Sequence, residues 1–383
     1  MQRVYLDSNA TTPILPEVFE AMRPFYLDQF GNASSIHHYG QHARAAVERA
    51  RESVARLLGC RAAEVVFTSG GTEADNLAIF GIVQPGEHVI TSQVEHHAVL
   101  NACKRLGKNG VEVTYLHVDG EGLVDPEDVR KALRPTTKLI SIMMANNETG
   151  VVEPAEEIGR VAAEADVYFH TDAVQAAGKI PVDVKKIGCD LLSISAHKFH
   201  GPQGIGALYV RRGTLIDPLF YGGNHERQRR AGTENLPGII GLGCAAEIAR
   251  RGLENGDMAR IAKMRDRLES TLLDHVDEAG VNSGAAPRVP NTSNIYFDHI
   301  EGEAMVIALD LKGLAVSTGA ACSSGAIEPS HVLTAIGLSP ERARAGIRFS
   351  VGKHNTEEDI DFALSVIPAT VARLRELSPT YTR

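Results

Sequence analysis

Between residues 64 and 212, short runs of apolar and β-branched residues alternate with segments whose apolar residues recur at helical spacing. The runs span residues 65–68, 88–91, 111–118, 139–144, 167–172, 191–195 and 207–210. Helical spacing is clearest in residues 97–106 and 154–165. This alternation predicts an α/β fold with a mostly parallel central sheet and helices on both faces. Ligands of such sheets bind beyond the carboxyl ends of the strands, so we expect functional residues directly after the runs.

The pattern changes after Asn235, where a long helical stretch is interrupted at residues 252–256 and then continues to residue 276. Beyond it, strand-like segments alternate with helical ones, which predicts a smaller α+β domain. These strand-like segments are residues 294–297, 314–316 and 347–349. We place the boundary near residue 256. The large domain is then expected to span residues 15–256, and the small domain residues 1–14 and 257–383.

The chain of 383 residues has 39 Lys and Arg against 48 Asp and Glu, a formal net charge of −9. An acidic chain is a poor candidate for a general nucleic-acid or membrane-surface binder, because such proteins need a cationic excess. No apolar run approaches the roughly 18 residues of a membrane span, and the first residues lack the apolar stretch of a signal peptide. We therefore expect a cytoplasmic protein that binds neither membranes nor nucleic acid directly.

The five cysteines are odd in number and include no C-x-x-C pair, so neither a disulfide framework nor a metal site is predicted. Four of them lie beside apolar residues and are expected to act as small buried hydrophobes: Cys60, Cys103, Cys189 and Cys244. Cys322 differs, because residues 317–326 around it are small and polar. We expect this segment to be a loop that moves among conformations.

Three segments contain residues that are suited to ligand binding or catalysis. Residues 67–76 follow a strand and open a helix, and their glycines and free N–H groups suit a phosphate, although a plain helix cap is the alternative. Asp172 ends an apolar strand, where a carboxylate needs a cationic or hydrogen-bonding partner. Lys198 follows another strand among hydroxyl and imidazole groups, which makes it either a solvated cap or an imine-forming lysine. Together and in this order, the three indicate a pyridoxal 5′-phosphate (PLP) enzyme.

The chain resembles a known family, the cysteine desulfurases, which are fold-type-I PLP-dependent transferases. The resemblance covers essentially the whole chain, and the Cys322 segment is similar to the first group of the family, the NifS and IscS type. The matching segments are 5–13 (YLDSNATTP), 69–73 (SGGTE), 95–99 (EHHAV), 146–150 (NNETG), 172–175 (DAVQ), 197–204 (HKFHGPQG), 232–233 (GT) and 319–324 (GAACSS).

The resemblance implies three catalytic residues. Lys198 forms the imine with the cofactor aldehyde, His96 stacks on the ring and transfers protons, and Cys322 is the nucleophile. The residues implied to bind PLP are Gly71, Thr72, His96, Asp172, Gln175, Ser195, His197, Lys198 and Thr233. Within this set, Asp172 pairs with the pyridinium, Gln175 contacts the ring hydroxyl, and Thr233 reaches the phosphate from a neighbouring subunit, which implies a homodimer.

Asn147 and Arg348 are implied to hold the substrate carboxylate, although a structural ion pair is the alternative for Arg348. His96 and His97 are adjacent in sequence and cannot share one helical face, so His97 is expected at the surface. The charged cluster 225–230 is expected either to be solvated or to contribute to a subunit interface.

The implied reaction converts L-cysteine to L-alanine and leaves the sulfur on Cys322 as a persulfide, with no metal involved. The sulfur then goes to an acceptor such as an iron-sulfur scaffold protein, for iron-sulfur cluster assembly, tRNA thiolation or both. The chain stops soon after Pro379, earlier than relatives whose C-terminal tail docks such a scaffold, which leaves the acceptor open. Rival interpretations are another fold-type-I activity, such as a selenocysteine lyase or aminotransferase, and a noncatalytic sulfur-carrier scaffold.

Overall fold

The computed structural model of the chain describes residues 3–319, 329–379 and 381. In these residues the largest sheet has seven strands, each near one of the seven predicted runs. In spatial order they are β2 (Val65–Thr68), β8 (Gly206–Val210), β7 (Leu191–Ser195), β6 (Tyr168–Asp172), β5 (Thr137–Ser141), β3 (His88–Ser92) and β4 (Glu112–Leu116). Only β8 runs against its neighbours in this sheet, so the predicted mostly parallel sheet is confirmed.

Helices cover both faces of this sheet. They are α1 (Pro16–Met22), α2 (Pro24–Leu27), α3 (His38–Leu58), α4 (Gly71–Phe80), α5 (His97–Gly107), α6 (Pro126–Ala132), α7 (Ala155–Glu164), α8 (Val184–Ile187) and α9 (Leu236–Glu254). Consecutive strand residues enter different cores: Ile140 faces the core that contains α3 and α9, whereas Leu139 faces the core that contains α4 and α5. Strands buried on both faces explain why the sequence runs have apolar residues at consecutive positions.

A separate core holds the rest of the chain. It joins Val4 and Leu6 to apolar residues between positions 261 and 371. The elements here are β1 (Val4–Tyr5), α10 (Asp257–His275), β9 (Ala279–Val281), β10 (Thr292–Phe297), α11 (Gly302–Asp310), β11 (Leu314–Ala315), α12 (His331–Ala335), α13 (Pro340–Arg344), β12 (Gly346–Ser350) and α14 (Glu357–Leu377). β9, β10 and β12 form an antiparallel sheet, and β1 pairs with β11. The division at residues 15 and 256 stays a prediction, and this separate core supports it.

Within the described part of the chain, no helix combines the length and apolar composition that a bilayer crossing requires.

The carboxyl ends of β2, β3, β5, β6 and β7 lie at one edge of the large sheet, because these strands run in the same direction. At this edge, α4 begins at Gly71 and α5 begins at His97. β6 ends at Asp172, and a short 3₁₀ turn, Ala196–Lys198, follows β7. The chain therefore delivers the three predicted chemical segments to one place.

The charged cluster 225–230 is anchored rather than simply solvated. Glu226 is buried and accepts two hydrogen bonds from Arg51 of α3, at 2.7 and 2.8 Å. It also accepts one from the backbone N–H of Phe67 in β2. Glu226, Arg227 and Gln228 all have positive φ angles, between 45° and 66°, so this pairing holds a backbone that non-glycine residues rarely adopt.

We expect Glu226→Gln to lower the free energy of unfolding by about 3 kcal/mol, because it leaves the buried Arg51 guanidinium without a compensating charge. Urea denaturation with circular dichroism measures this. The matched control is Glu164→Gln, which breaks the exposed pair between Arg130 and Glu164 and should cost less than about 1 kcal/mol. Equal losses in the two variants would contradict the anchoring role of Glu226.

Candidate active site

A cavity of about 380 Å³ opens at the carboxyl edge of the large sheet, between the two parts of the chain. Ten of the twelve residues that the sequence singled out line it: Gly71, Thr72, His96, Asn147, Asp172, Gln175, Ser195, His197, Lys198 and Arg348. They come from separate strands, turns and helix starts, and only the fold brings them together. Their individual roles stay predictions.

Lys198 ends the 3₁₀ turn after β7, and its amine points at the N-terminal segment. Nζ donates to the carbonyl oxygens of Asn9 and Ala10, at 2.6 and 2.9 Å. Burial and the neighbouring charge of Arg348 lower the pKa of Lys198 to about 8. About a tenth of this lysine is therefore the free amine at pH 7, far more than for an ordinary lysine, and this is the form that reacts with aldehydes and accepts protons.

Asp172 lies at the floor of the cavity, where one carboxylate oxygen accepts a hydrogen bond from the Val174 N–H at 2.8 Å. Asp75 is also buried, and its Oδ1 has no hydrogen-bond partner in the described structure. Burial and mutual repulsion raise the pKa of Asp75, and burial raises that of Asp172. A site with two buried acceptors of this kind fits a ligand that brings a positively charged N–H donor, as a protonated pyridine does.

The wall beside α4 fits a phosphate. Gly70 and Gly71 lead into the helix, and Ser195 and His197 face the same space. An ideal Cβ on Gly71 would lie 2.8 Å from a methyl carbon of Val174, so the turn is built for a residue without a side chain. Burial lowers the pKa of His197 to about 4, which keeps this ring neutral. Phosphate would be held by N–H and O–H donors at the positive end of a helix.

His96 caps α5, because its Nδ1 accepts a hydrogen bond from the Ala98 N–H at 3.1 Å. His96 is exposed to the cavity, where desolvation by the surrounding walls and the charge of Lys198 lower its pKa to about 4, so the ring is neutral and carries its proton on Nε2. Atoms of His96, Asp75 and Asp172 all lie within 4.8 Å of one another. His97 is exposed as expected, but it also lines the cavity, and its ring lies beside that of His331 at a tilt of 40°, with centroids 4.7 Å apart.

Arg348 lies on β12. Its contacts are consistent with both of its predicted roles, a structural ion pair and binding of the substrate carboxylate. It donates to the Asp7 carboxylate at 2.7 Å, which is the structural ion pair, and to the Asn147 carbonyl at 2.9 Å. Its side chain nevertheless lines the cavity, and its buried Nε has no partner in the described structure. A guanidinium held on two sides with a donor left over is suited to bind a substrate carboxylate.

Two predicted residues are not brought into this cavity. Thr233 is exposed in the loop before α9, outside the cavity of its own chain. Its reach into a neighbouring subunit stays a prediction. Cys322 and the expected mobility of its loop lie outside the described residues.

The other four cysteines are free thiols. Cys103 and Cys189 are buried as expected, whereas Cys60 and Cys244 are only partly so. Burial raises the pKa of all four, to about 12 for Cys60 and Cys103.

Several residues in the cavity wall or directly behind it were not predicted. Asn9 touches Lys198 through its carbonyl, and Lys179 donates to the side chain of Gln175. Asp75 and Glu148 add two buried carboxylates to the cavity wall. Asn9 and Glu148 lie inside segments that resemble the family, which was the only available signal. Lys179 and Asp75 lie just outside such segments.

Comparison with known proteins identifies the family. The sequence profile of the aminotransferase class-V family matches residues 4–362. A cysteine desulfurase IscS from Dictyoglomus turgidum is 51% identical over 99% of this chain and 97% of its own length. The chain belongs to the aminotransferase class-V family and, within it, to the cysteine desulfurases. The predicted fold-type-I architecture and the predicted NifS/IscS resemblance are confirmed.

Solved structures agree with this assignment. A NifS-like protein superposes with a TM-score of 0.91 at 38% identity, covering 97% of this chain and all of its own. SspA, whose structure is a complex with cysteine, superposes with a TM-score of 0.82 at 38% identity over 92% of this chain and all of its own. PLP is a property of the family to which this chain belongs.

Because burial and Arg348 lower the pKa of Lys198, we expect its amine to be acetylated by acetic anhydride in cofactor-free protein with a pH midpoint near 8. The amine reacts only when deprotonated, so labelling rises as the pH passes this value. Exposed Lys131, whose pKa is raised by its bond to Asp128, is the internal reference and should react at higher pH. Arg348→Gln should move the Lys198 midpoint upward. Mass spectrometry of peptides reads both lysines, and equal midpoints would contradict the assigned environment.

Proposed function

We propose that the cavity converts L-cysteine to L-alanine and that the sulfur is left on Cys322 as a persulfide. The main observation that supports this proposal is that Lys198, Asp172 and Arg348 line the same cavity. An amine that is partly free near pH 7, a buried carboxylate and a guanidinium with a spare donor are what PLP chemistry on an amino acid requires. Family membership narrows the amino acid to cysteine.

PLP is the cofactor that we propose for this cavity. Asp172 would pair with its pyridine nitrogen, and the start of α4 with Ser195 and His197 would hold its phosphate. When bound, PLP supplies an aldehyde that amines attack and a ring that withdraws electrons from the substrate α carbon.

The residues of the chain then handle protons and orientation. Arg348 and Asn147 hold the substrate carboxylate, which sets the α hydrogen relative to Lys198. The Lys198 amine accepts the α proton, and its lowered pKa of about 8 lets it give the proton back without a large barrier. His96 keeps a neutral Nε2–H at the cavity, so it donates or shuttles a proton without adding charge.

Sulfur transfer is proposed to use the Cys322 thiolate. It attacks the substrate sulfur, a sulfur–sulfur bond forms and the carbon–sulfur bond breaks, and the electron pair and a proton pass to the carbon that becomes the alanine methyl group. Gly319 lines the cavity and precedes Cys322 by three residues in the sequence. The raised pKa values of the four described cysteines make them poor thiolates.

We further propose a homodimer in which Thr233 completes the partner's phosphate site. Arg230, three residues before Thr233, pairs with Glu73 in the first turn of α4, so this loop is held beside the phosphate wall. Exposed aromatic side chains, including Tyr26, Phe30 and Tyr221, give the chain apolar surface that a second copy can bury. An acceptor protein such as an iron-sulfur scaffold, and a reducing cytoplasmic location that suits free thiols, are part of the same proposal.

The wild-type protein with PLP should form L-alanine from L-cysteine, and each catalytic chain should gain one sulfur on Cys322. Cys322→Ala should bind PLP and L-cysteine normally yet form no persulfide, because only the nucleophile is lost. Cys244→Ala, which removes the partly exposed cysteine of α9, is the control and should stay active. Mass spectrometry after incubation with sulfur-labelled cysteine identifies the residue that has received the labelled sulfur. Labelled sulfur on Cys60, Cys103, Cys189 or Cys244 would refute the assignment.

A mixing experiment tests the proposed role of Thr233 across the dimer. Thr233→Val should weaken PLP binding about tenfold, because a hydrogen bond to a charged phosphate is lost. Lys198→Ala should be inactive. Refolding the two variants together creates dimers with one intact site, composed of Lys198 from one chain and Thr233 from the other, so activity should reappear at limiting PLP. Activity no higher than the average of the two separate variants would place Thr233 in its own chain's site or in none.

A further inference from the structure

Asn9 lies between the two parts of the chain, and its neighbours fix the orientation of its carboxamide. Nδ2 donates to the Asn147 carbonyl at 3.2 Å and to the Thr292 hydroxyl at 2.8 Å. Oδ1 accepts from Asn291 Nδ2 at 2.9 Å. The Asn147 carbonyl can only accept a hydrogen bond. If the nitrogen and oxygen of the Asn9 carboxamide were exchanged, Oδ1 would face this carbonyl and both atoms would be acceptors. Oδ1 of Asn9 is therefore a firm acceptor.

Lys179 joins this acceptor to Gln175. Its Nζ donates to Asn9 Oδ1 at 2.8 Å and to Gln175 Oε1. Gln175 Nε2 in turn donates to the backbone carbonyl of Asn9 at 2.9 Å. Both partners of Gln175 demand the same orientation of its carboxamide, with the oxygen toward Lys179. The second hydrogen of Nε2 is left for the cavity that Gln175 lines.

The local backbone holds Lys179 in this position. Gly178 has a φ of +78°, and an ideal Cβ there would lie 2.9 Å from the Cβ of Phe199. The turn therefore needs glycine and directs the next side chain back toward Gln175. Lys179 is 6% exposed, and both of its acceptors are uncharged amide oxygens. A buried lysine in such surroundings is costly and rare, which suggests that it does more than fill space.

We propose that Lys179 is a positioning residue that holds the Gln175 carboxamide so that its Nε2–H faces the cavity and donates to an anionic oxygen of the cofactor. This rests on the proposed function in one respect, namely that the oxygen belongs to the ring of PLP. Without Lys179, Gln175 can rotate and present its oxygen instead, which repels an anionic oxygen. Lys179 thereby determines whether Gln175 presents a hydrogen-bond donor or an acceptor to the cavity.

The surroundings of Lys179 agree with this role. Burial and the nearby Lys198 and Arg348 lower the pKa of Lys179 well below its usual value. The amine has enough hydrogens for the two oxygens that it contacts in either protonation state, so the hydrogen bonds to Asn9 and Gln175 are what orient the carboxamide.

The test uses the visible absorbance of bound PLP, which changes with pH as the cofactor and its lysine lose a proton. A donor to the ring oxygen favours the deprotonated state, so its loss raises the midpoint of this change. We expect Lys179→Met to raise the midpoint by about 0.5 to 1 pH unit. It should also weaken the Kd of PLP for cofactor-free protein about three- to tenfold. An unchanged midpoint would overturn the proposal.

Gln175→Leu provides the decisive control. It should raise the midpoint by a similar amount, and adding Lys179→Met to it should cause no further change, because there is no carboxamide left to orient. A further equal shift in the double variant would mean that Lys179 acts on the cofactor through its charge, and the proposal would be wrong. Thermal melts of each cofactor-free variant check folding.

Lys179→Gln is the second variant should the methionine not be tolerated. It keeps a polar group in the buried position but is one atom shorter, so the midpoint should shift in the same direction. The two proposals can fail separately. Wild-type protein that binds PLP but forms no alanine from cysteine would refute the proposed function, whereas an active wild type with unmoved midpoints in the variants would refute only the role of Lys179.

Discussion

The polar contacts of Asn9 are the constraint on which the arrangement of the site depends. This residue is 1% exposed and lies where the cores of the two parts of the chain meet. Its carbonyl accepts from Lys198 and Gln175, and its side chain bonds to Thr292 at the start of β10. A buried amide must satisfy its hydrogen bonds, so the two cores can meet in few relative positions. These hydrogen bonds connect residues of the cavity wall, Asn147, Gln175 and Lys198, to Thr292 of the second part of the chain.

Burial also determines the direction in which the pKa values of the acidic and basic groups around the cavity are shifted. In the cavity wall the carboxyl groups of Asp75, Asp172 and Glu148 have raised pKa values, whereas the amine of Lys198 has a lowered one. The pKa of the buried Lys179, which contacts Gln175 of this wall, is lowered as well. Both directions reduce charge in a region with little water. Acids and bases whose pKa values move toward neutrality can exchange protons at small cost, which suits repeated proton transfer. Arg348 remains the charged exception, and its pairing with Asp7 offsets the cost of burying it.

Much of the fold and part of the site could be predicted from sequence because they depend on local patterns. The runs that became β3, β5 and β7 were rich in apolar residues, Asp172 ended one such run, and Lys198 followed another within a few residues. Lys179 and Glu226 could not be found in this way. Glu226 pairs with a residue 175 positions away, and Asn9 meets Lys198 across 189 positions. Nothing in local spacing encodes such partners, since the contact exists only after the sheet and both cores have formed.

The same burial that tunes the amines makes the core a poor place for the sulfur nucleophile. Desolvation lowers the pKa of an amine and so increases the reactive free base, but it raises the pKa of a thiol and so removes the reactive thiolate. Cys103 and Cys189 illustrate the second effect. One cavity therefore cannot bury both a reactive lysine and a reactive cysteine with the same environment. Gly319, which precedes the segment that carries Cys322, lines the cavity, and Ser330, which follows that segment, donates a hydrogen bond to Glu148 at the cavity wall. We therefore expect the proposed nucleophile Cys322 to need an environment different from that of Lys198.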